Sequence, residues 1–335
     1  MKVFLTSAYM GKRDTYIPWF EELAAQDRFG VHALASGPES ADVILFVDAH
    51  MHPGDIGLNA IRRHPVATGH CEKTYLYSEQ DQPWCAMPGL YVSMPAKNFN
   101  PARQRSCAYV RLRNPHVLTI HRQAIAPDLL FSFLGRRGPA IREAVMALSH
   151  PRSLIEDTSA VNFFYSHTDE TERRERRYAE IIGRSKFVLC PRGDGVSSFR
   201  LFETMAAARV PVIISDQWVP PAGPDWSRCS LRVPERDIAS IPAILERRER
   251  EFEVMGYGAR REWVEWFAPD VLFHRMVELC LDLRRQRMLS GVFKSDLLDA
   301  RYLWLRGREA KWRIKTALSR AVGCLSAQPV KASVS

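Results

Sequence analysis

No stretch of this sequence approaches the roughly 18 consecutive apolar residues of a membrane span. There is no Cys-x-x-Cys pair either: the seven cysteines, at 71, 85, 107, 190, 229, 280 and 324, are odd in number and widely scattered. That pattern suits reduced thiols in a cytosol and argues against a disulfide framework. No Gly-x-Gly-x-x-Gly follows the first apolar run, Lys2–Leu5, whose next residues are Thr-Ser-Ala-Tyr. This argues against a dinucleotide-binding oxidoreductase. Zinc-finger spacing, RNA-binding aromatic motifs, internal repeats and low-complexity tracts are all lacking. The opening Met1-Lys-Val-Phe-Leu-Thr-Ser turns polar too soon for a signal peptide and reads as a first strand. The expectation is a cytoplasmic protein.

What is present is the composition of a globular protein, 25% charged and 46% hydrophobic over 335 residues. That length favours two domains. The net charge of +9 is concentrated at one end. Arg284 to Ser335 holds twelve Lys/Arg against three Asp/Glu, and the preceding residues hold 35 of each sign. A neutral body with a basic tail speaks against a nucleic-acid surface.

Short apolar runs alternate with helix-compatible stretches, the pattern of an open, mostly parallel sheet. In residues 1–125, strands are expected at Lys2–Leu5, Ala41–Val47, Lys73–Tyr77 and Gly89–Val92, with helices at Trp19–Ala25 and Ile56–Arg63. Pro95 to Pro115 lacks a periodic signal and reads as a long loop or covering segment. Residues 126–283 carry a second series: strands Leu129–Leu134, Val161–Tyr165, Phe187–Cys190, Val210–Ile214 and Leu231–Val233, with helices Ala140–Leu148, Asp169–Gly183, Phe199–Ala208 and Ile238–Glu253. Residues 284–335 form a basic tail, helical in composition over Arg301–Ala321, with Leu298, Tyr302, Leu305 and Trp312 on one face. Two readings stand for it: a solvated helix packed back on a domain, or a helix that meets an anionic membrane surface or a partner.

The densest chemistry lies between Ser185 and Asp216. A buried strand ends at Cys190-Pro191, a turn carries Arg192, Gly193, Asp194 and Gly195, and a helix opens at Ser197 and Ser198. A helix N-terminus beside an arginine is a ready anion site. Arg192 stands where ligands bind in open α/β sheets, outside the carboxyl end of a strand. Its planar fork suits a diphosphate, and the plain alternative is a surface salt bridge. Gly193 and Gly195 permit positive φ and close backbone approach, and Asp194 orients the loop. Ser197 and Ser198 are good N-cap residues, and one hydroxyl can remain for a phosphate oxygen. Arg200 and Glu203 share a helix face. They make either an i,i+3 ion pair or a ribose acceptor (Glu203) beside a phosphate ligand (Arg200). Cys190 reads as a small core residue.

Ser185-Lys-Phe-x-Leu-Cys-Pro-Arg-Gly, Ser198-Phe-Arg-Leu-Phe-Glu203, Val210-Pro-Val-Ile-Ile-Ser-Asp216 and Trp226 together resemble the C-terminal motif of the exostosin-like glycosyltransferases over roughly 50 residues. Leu130-Phe-Ser-Phe-Leu-Gly-Arg136 resembles the segment opening that family's donor domain and suggests Arg136 or Arg137 as a further phosphate contact. The resemblance implies a GT-B architecture, two Rossmann-like domains facing across a cleft. Residues 1–125 would form the acceptor side and 126–283 the donor side. It further implies an inverting transfer from a nucleotide-diphosphate sugar to a saccharide or glycolipid acceptor, in polysaccharide or glycan synthesis. Eukaryotic members usually carry an N-terminal membrane anchor; this chain looks like a soluble, bacterial-type relative, and its basic tail is the expected place of any peripheral membrane contact.

Inverting transfer needs a general base for the acceptor hydroxyl and cations for the leaving diphosphate. Arg192, Arg136 and the helix end supply the second without a metal ion, as GT-B enzymes generally do. Retaining GT-B enzymes often place a glutamate eight positions before the residue matching Glu203; here that position is Gly195, consistent with inversion. The base is expected from the first domain: Glu79 or Asp81 after strand Lys73–Tyr77, or the Asp48, His50 and His52 group after Ala41–Val47. Trp84, Trp218 and Trp226 either stack on a base or sugar ring or pack in the core. Rival readings are an Asp-x-Asp-like metal site at Glu79 and Asp81, and a catalytically silent sugar-binding or scaffold subunit.

Overall fold

Residues 43–46, Val-Ile-Leu-Phe, are apolar without alternation, the mark of a strand covered on both faces, and all four are buried. Leu129–Gly135 and Val210–Ile214 are likewise buried throughout, and Ser185–Pro191 is buried except at half-buried Lys186. Such strands belong to parallel sheets with helices on both sides. The computed structural model, which describes residues 1–9, 16–48, 58–81, 83, 87–110, 114–160 and 169–290, contains two of them.

The first sheet is built from β1 (Lys2–Thr6), β2 (Ala33–Leu34), β3 (Val43–Phe46), β4 (Thr74–Ser78), β5 (Gly89–Tyr91) and β6 (Gln104–Ser106) in the order β2-β1-β3-β4-β5-β6, every pair parallel. Its helices are α1 (Ile17–Gln26), α2 (Asn59–Arg62) and α3 (Pro65–Gly69). After α4 (Val117–Ile120) comes the second sheet, ordered β11-β10-β9-β7-β8 and again parallel throughout. Its strands are β7 (Leu129–Gly135), β8 (Ser153–Asp157), β9 (Ser185–Pro191), β10 (Val210–Ile214) and β11 (Leu231–Arg232). Between them run α5 (Ala140–Met146), α6 (Asp169–Arg184), α7 (Phe199–Ala206) and α8 (Trp226–Cys229), followed by α9 (Ile241–Arg248), α10 (Phe252–Trp266) and α11 (Pro269–Ser290). Two parallel-sheet α/β domains are what the GT-B expectation requires. In each sheet the strand order reverses once, between β1 and β3 and between β7 and β9. These are the switch points where ligands bind in such folds.

The expected loop over 95–115 contains an edge strand, β6, missed because Gln-Arg-Ser has no apolar signal. Its Arg105 is held from outside, by Nε and Nη2 bonds of 2.8 and 2.7 Å to Asp282 on α11. β2, with two residues, and β8, Ser-Leu-Ile-Glu-Asp, were too short or too polar to read. The helix expected over Ile238–Glu253 is broken by 3-10 turns around α9 and gives way to α10. α11 runs unbroken through the 283/284 boundary and lies on α1 and β5 of the first sheet. The strand expected at Val161–Tyr165, the residues His50, His52 and Trp84, and the tail helix at Arg301–Ala321 lie outside the described residues. Five cysteines, 71, 107, 190, 229 and 280, are free, and among the described residues no helix is long and apolar enough to cross a membrane.

One ion cluster ties the second sheet to its outer helices. Glu249 takes Arg152 Nη2 at 2.8 Å and Lys186 Nζ at 2.6 Å. Arg152, then Lys186, pulls the Glu249 carboxyl down from 4.5 to about 2. A depressed carboxylate stabilises the fold above its unfolded value and loses that contribution as pH falls through the folded one. Glu249→Gln is therefore expected to lower Tm at neutral pH and to flatten the loss of stability between pH 4.5 and 2, read by thermal melts across that range.

Candidate functional site

At the β7/β9 switch point two turns leave the sheet side by side: Arg136–Pro139 after β7 and Arg192–Ser197 after β9. Arg142, in the first turn of α5, joins them. Its Nε donates to the Arg192 carbonyl at 3.1 Å and its Nη1 to the Arg136 carbonyl at 3.2 Å. Its Nη2 would lie 2.9 Å from a Cβ at Gly193. Burial first, then the neighbouring Arg200, lowers the Arg142 guanidinium to about 10. It stays charged at neutral pH but is crowded by a like charge, a state that an anion relieves.

Arg200 reaches the same place from α7. Its Nη2 donates to the Leu134 carbonyl at the end of β7, and its guanidinium lies 4.6 Å over the Phe133 ring. Its Nε is buried without a hydrogen-bond acceptor. It thus turns to the strand end rather than toward Glu203. Glu203 itself is 4% exposed and accepts from the Tyr178 hydroxyl at 2.8 Å. Arg136 is exposed at the mouth of the site.

Arg192 is placed differently from its expected part. It forks Glu235, Nε to Oε1 at 2.8 Å and Nη2 to Oε2 at 3.1 Å. Glu235 also accepts from the Asp216 N–H at 3.1 Å. The pairing raises the Arg192 guanidinium above its ordinary range and depresses Glu235. Arg137 is similarly committed, to Asp157 at 2.8 Å and Glu143 at 2.5 Å.

Ser198 occupies the N-cap of α7 in extended geometry, yet its side chain makes no cap hydrogen bond. Ser197 does not replace it: its N–H donates to Ser93 Oγ at 3.0 Å, and its own Oγ is buried without a partner. The Ser198 side chain therefore does not cap α7. Cys190, Val196, Ser197, Ser198, Ser215 and Trp218 line a small pocket there. Cys190 in its wall behaves as the core residue expected, its thiol pushed up to about 12 by burial. Trp218 and Trp226 pack edge to face with ring centroids 5.0 Å apart, and Trp226 Nε1 donates to the Pro221 carbonyl. Trp218, bridged to Pro95, belongs to the packing between the domains, and Trp226 packs on it and on Phe267.

The turn glycines act by size. The positive-φ glycines among the described residues are Gly30 and Gly223, so Gly193 and Gly195 do not use the left-handed freedom expected of them. A Cβ on Gly195 would lie 2.5 Å from Ser93 Oγ, 2.6 Å from Asp81 Oδ1 and 2.8 Å from Asp81 Cα. The first domain's loops after β4 and β5 thus press on the turn after β9. Around this contact Ala96 N–H donates to the Gln217 carbonyl at 2.8 Å, Ser106 Oγ to the Val219 carbonyl at 2.6 Å, and Tyr109 stacks on Phe199 at 3.6 Å.

The three carboxylates expected as base separate in this frame. Asp81 sits on the Gly195 turn, and its charge supports that of Arg142. Glu79 turns back into the first domain, accepting from Tyr16 Oη at 2.8 Å, from Tyr77 Oη and from Val110 N–H at 3.0 Å. Asp48 stands at the first sheet's own switch point, 7% exposed, bonded by Ser7 Oγ and by Ala8 N–H at 3.4 Å. Burial raises its carboxyl above the ordinary range. Asp194 is exposed and contributes its field to Arg142.

Sequence reasoning missed Arg142, Ser93, Tyr178 and Glu235. Arg142 had a signal: three residues after Pro139, it falls in the first turn of a helix that follows a strand end. The other three come from elements far away in sequence.

A family model for the Exostosin GT47 domain matches residues 62–248. The Exostosin-1 homolog of Caenorhabditis elegans is 44% identical over 79 residues, 23% of this chain and 20% of that protein. Exostosin-1 of Bos taurus is 26% identical over 132 residues, 39% of this chain and 17% of that protein. The chain spans about a fifth of the length of these curated relatives. Among solved structures, Anabaena Alr3699/HepE in complex with UDP and glucose aligns with 87% of this chain and 99% of its own, at 9% identity and a TM-score of 0.41. A glycosyltransferase from Rickettsia africae aligns with 84% of this chain and 98% of its own, at 9% identity and a TM-score of 0.39.

Proposed function

The chain belongs to the exostosin GT47 domain family, and on that premise we propose that it transfers a sugar, with inversion, from a nucleotide-diphosphate sugar to a hydroxyl of a saccharide or glycolipid acceptor in glycan synthesis. The observation that carries this reading is the meeting of Arg142 and Arg200, with Arg136 near in charge, at the turns after β7 and β9 beside the start of α7, where Ser197 Oγ is buried with no hydrogen-bond partner among the described residues. Guanidinium groups beside a helix N-terminus stabilise the charge that develops on a leaving diphosphate. Metal independence follows as part of the proposal, because these cations do what a divalent ion would do.

Asp81 is the proposed general base. It comes from the opposite domain and meets the donor turn, so an acceptor hydroxyl between the domains lies within its reach. Glu79 holds the loop by fastening it to Tyr16 and Tyr77, and Asp48 is a buried carboxyl one switch point away. The proposal extends to a cytoplasmic setting, with the basic tail as the contact to an anionic membrane surface.

Calorimetric titration of UDP, GDP, TDP and CMP, each with and without EDTA, tests the donor site. One nucleotide is expected to bind, indifferent to EDTA. Asp81→Asn should keep that affinity while turnover with the matching nucleotide-sugar falls about a hundredfold or more. Binding without turnover in the unaltered chain would move the assignment to a silent scaffold subunit. Absence of binding by every nucleotide would remove the donor site.

A further inference from the structure

We propose a zinc site, formed by His32, His274 and Glu278, on the opposite end of the first sheet from the sugar site. His32 immediately precedes β2, at the amino end of that parallel edge strand. His274 and Glu278 lie one turn apart on α11, hence on one helix face. One ligand atom from each of the three falls within 4.8 Å of the others.

Three imidazole nitrogens here make no hydrogen bond among the described residues. The His32 side chain is 1% exposed, and both its ring nitrogens are buried without a hydrogen bond; so is His274 Nδ1. Leaving such groups unpaired is costly, because burial strips them of water. His32 Nε2 lies 3.2 Å from Glu278 Oε1 yet makes no hydrogen bond. Two ligands each about 2.0–2.1 Å from a tetrahedral ion stand about 3.3 Å apart. This pair already has that spacing. The His274 ring stacks on His32 at 4.8 Å and 23°, and Phe29 covers its other face at 4.2 Å. An imidazole binds through a lone pair in its ring plane, so the His274 ring must turn out of the stack as it closes the remaining distance to the ion.

Two imidazoles and one carboxylate, with water in the fourth position, are a zinc ligand set. The surrounding charge is mixed. The Met1 amino group, Arg28 and Arg275 stand near on one side. Asp27, whose Oδ1 is buried without a partner, and Asp270, paired with Arg28, oppose them. The ion would rivet the Asp27–His32 loop and the edge strand to α11, the helix that returns from the second sheet. It is remote from the strand ends where transfer takes place, so its role is in holding the domains together.

The test uses the full chain with any affinity tag removed, stripped with EDTA and dialysed. Zn²⁺ is expected to bind at one equivalent per chain and to raise Tm, and Co²⁺ to give the visible absorption of a tetrahedral site. His32→Ala stands in the core and serves poorly, so the variants are His274→Ala and the surface change Glu278→Gln, each checked by circular dichroism. Both should weaken Zn²⁺ by about a hundredfold or more, with nucleotide binding unchanged. An unaltered chain that takes up no Zn²⁺, or variants that bind it as tightly as the unaltered chain, would overturn the site without touching the sugar-transfer reading.

Discussion

Replacing Arg142 with methionine is expected to weaken nucleoside-diphosphate binding by about two orders of magnitude while leaving the fold intact. Methionine keeps most of the buried stem and removes the charge. Arg142 already links the two turns of the switch point through the carbonyls of Arg192 and Arg136. It does so beside Arg200, with burial holding it at about 10. A diphosphate entering between them exchanges like-charge crowding for charge-assisted hydrogen bonds. A hydrogen bond between charged groups is worth roughly 1.5–3 kcal/mol, and each 1.4 kcal/mol is about tenfold in affinity.

Two controls separate this effect from loss of surface charge. Arg137→Met removes an exposed arginine already spent on Asp157 and Glu143; binding should hold. Arg192→Met breaks the fork with Glu235 and should show more in Tm than in affinity. Calorimetry with the nucleotide that the unaltered chain prefers decides the matter. An Arg142 variant that binds normally would reduce the arginine to a tie between two turns.

How far the sequence could carry this site depends on what kind of contact each residue makes. β9, α7 and β10 were legible because parallel buried strands leave apolar runs and serine marks a helix start. Position was legible and use was not. Ser198 does stand at the N-cap, but whether its hydroxyl closes the cap depends on what lies above the helix, and that is the first domain's Ser93 and Asp81. Arg192 was correctly set at a strand end, while its partner Glu235 arrives 43 residues later, from beyond β11. Sequence spacing holds no record of such meetings.

The first domain shows the same division. Glu79 and Asp81 looked equivalent as neighbours in one loop. Strand alternation continued past β4 puts Glu79 on the face of Tyr77, and there it stays, under Tyr16 and Val110. Two residues on, the chain has left the sheet and Asp81 meets the other domain. β6 escaped notice because its burial is purchased by a partner outside the strand, Asp282, rather than by apolar side chains.

Gly195→Ala is expected to cost about 1–3 kcal/mol of stability, the range for overpacking a tight site, and to cost turnover far more. Of the three atoms that the new methyl would meet, Ser93 Oγ and Asp81 Oδ1 are side-chain ends that can swing aside; Asp81 Cα, at 2.8 Å, is backbone and must be pushed away. Relief therefore separates the two domains where the proposed donor site and the proposed base face each other, and a misplacement of about 1 Å there can cost a hundredfold in rate. Gly138→Ala, in the neighbouring turn, meets nothing within 4 Å and should leave both stability and turnover unchanged. Thermal melts with and without nucleotide, beside initial rates, compare the two. Equal behaviour of the two variants would mean that the loops do not close on the donor turn. If the Gly195 variant fails as expected, one contact explains two features of the proposed chemistry. The approach that brings Asp81 to the donor turn also fills the position where a retaining enzyme would carry its glutamate. A side chain at 195 and a base at 81 exclude each other sterically, so Gly195→Glu should abolish transfer rather than change its stereochemistry.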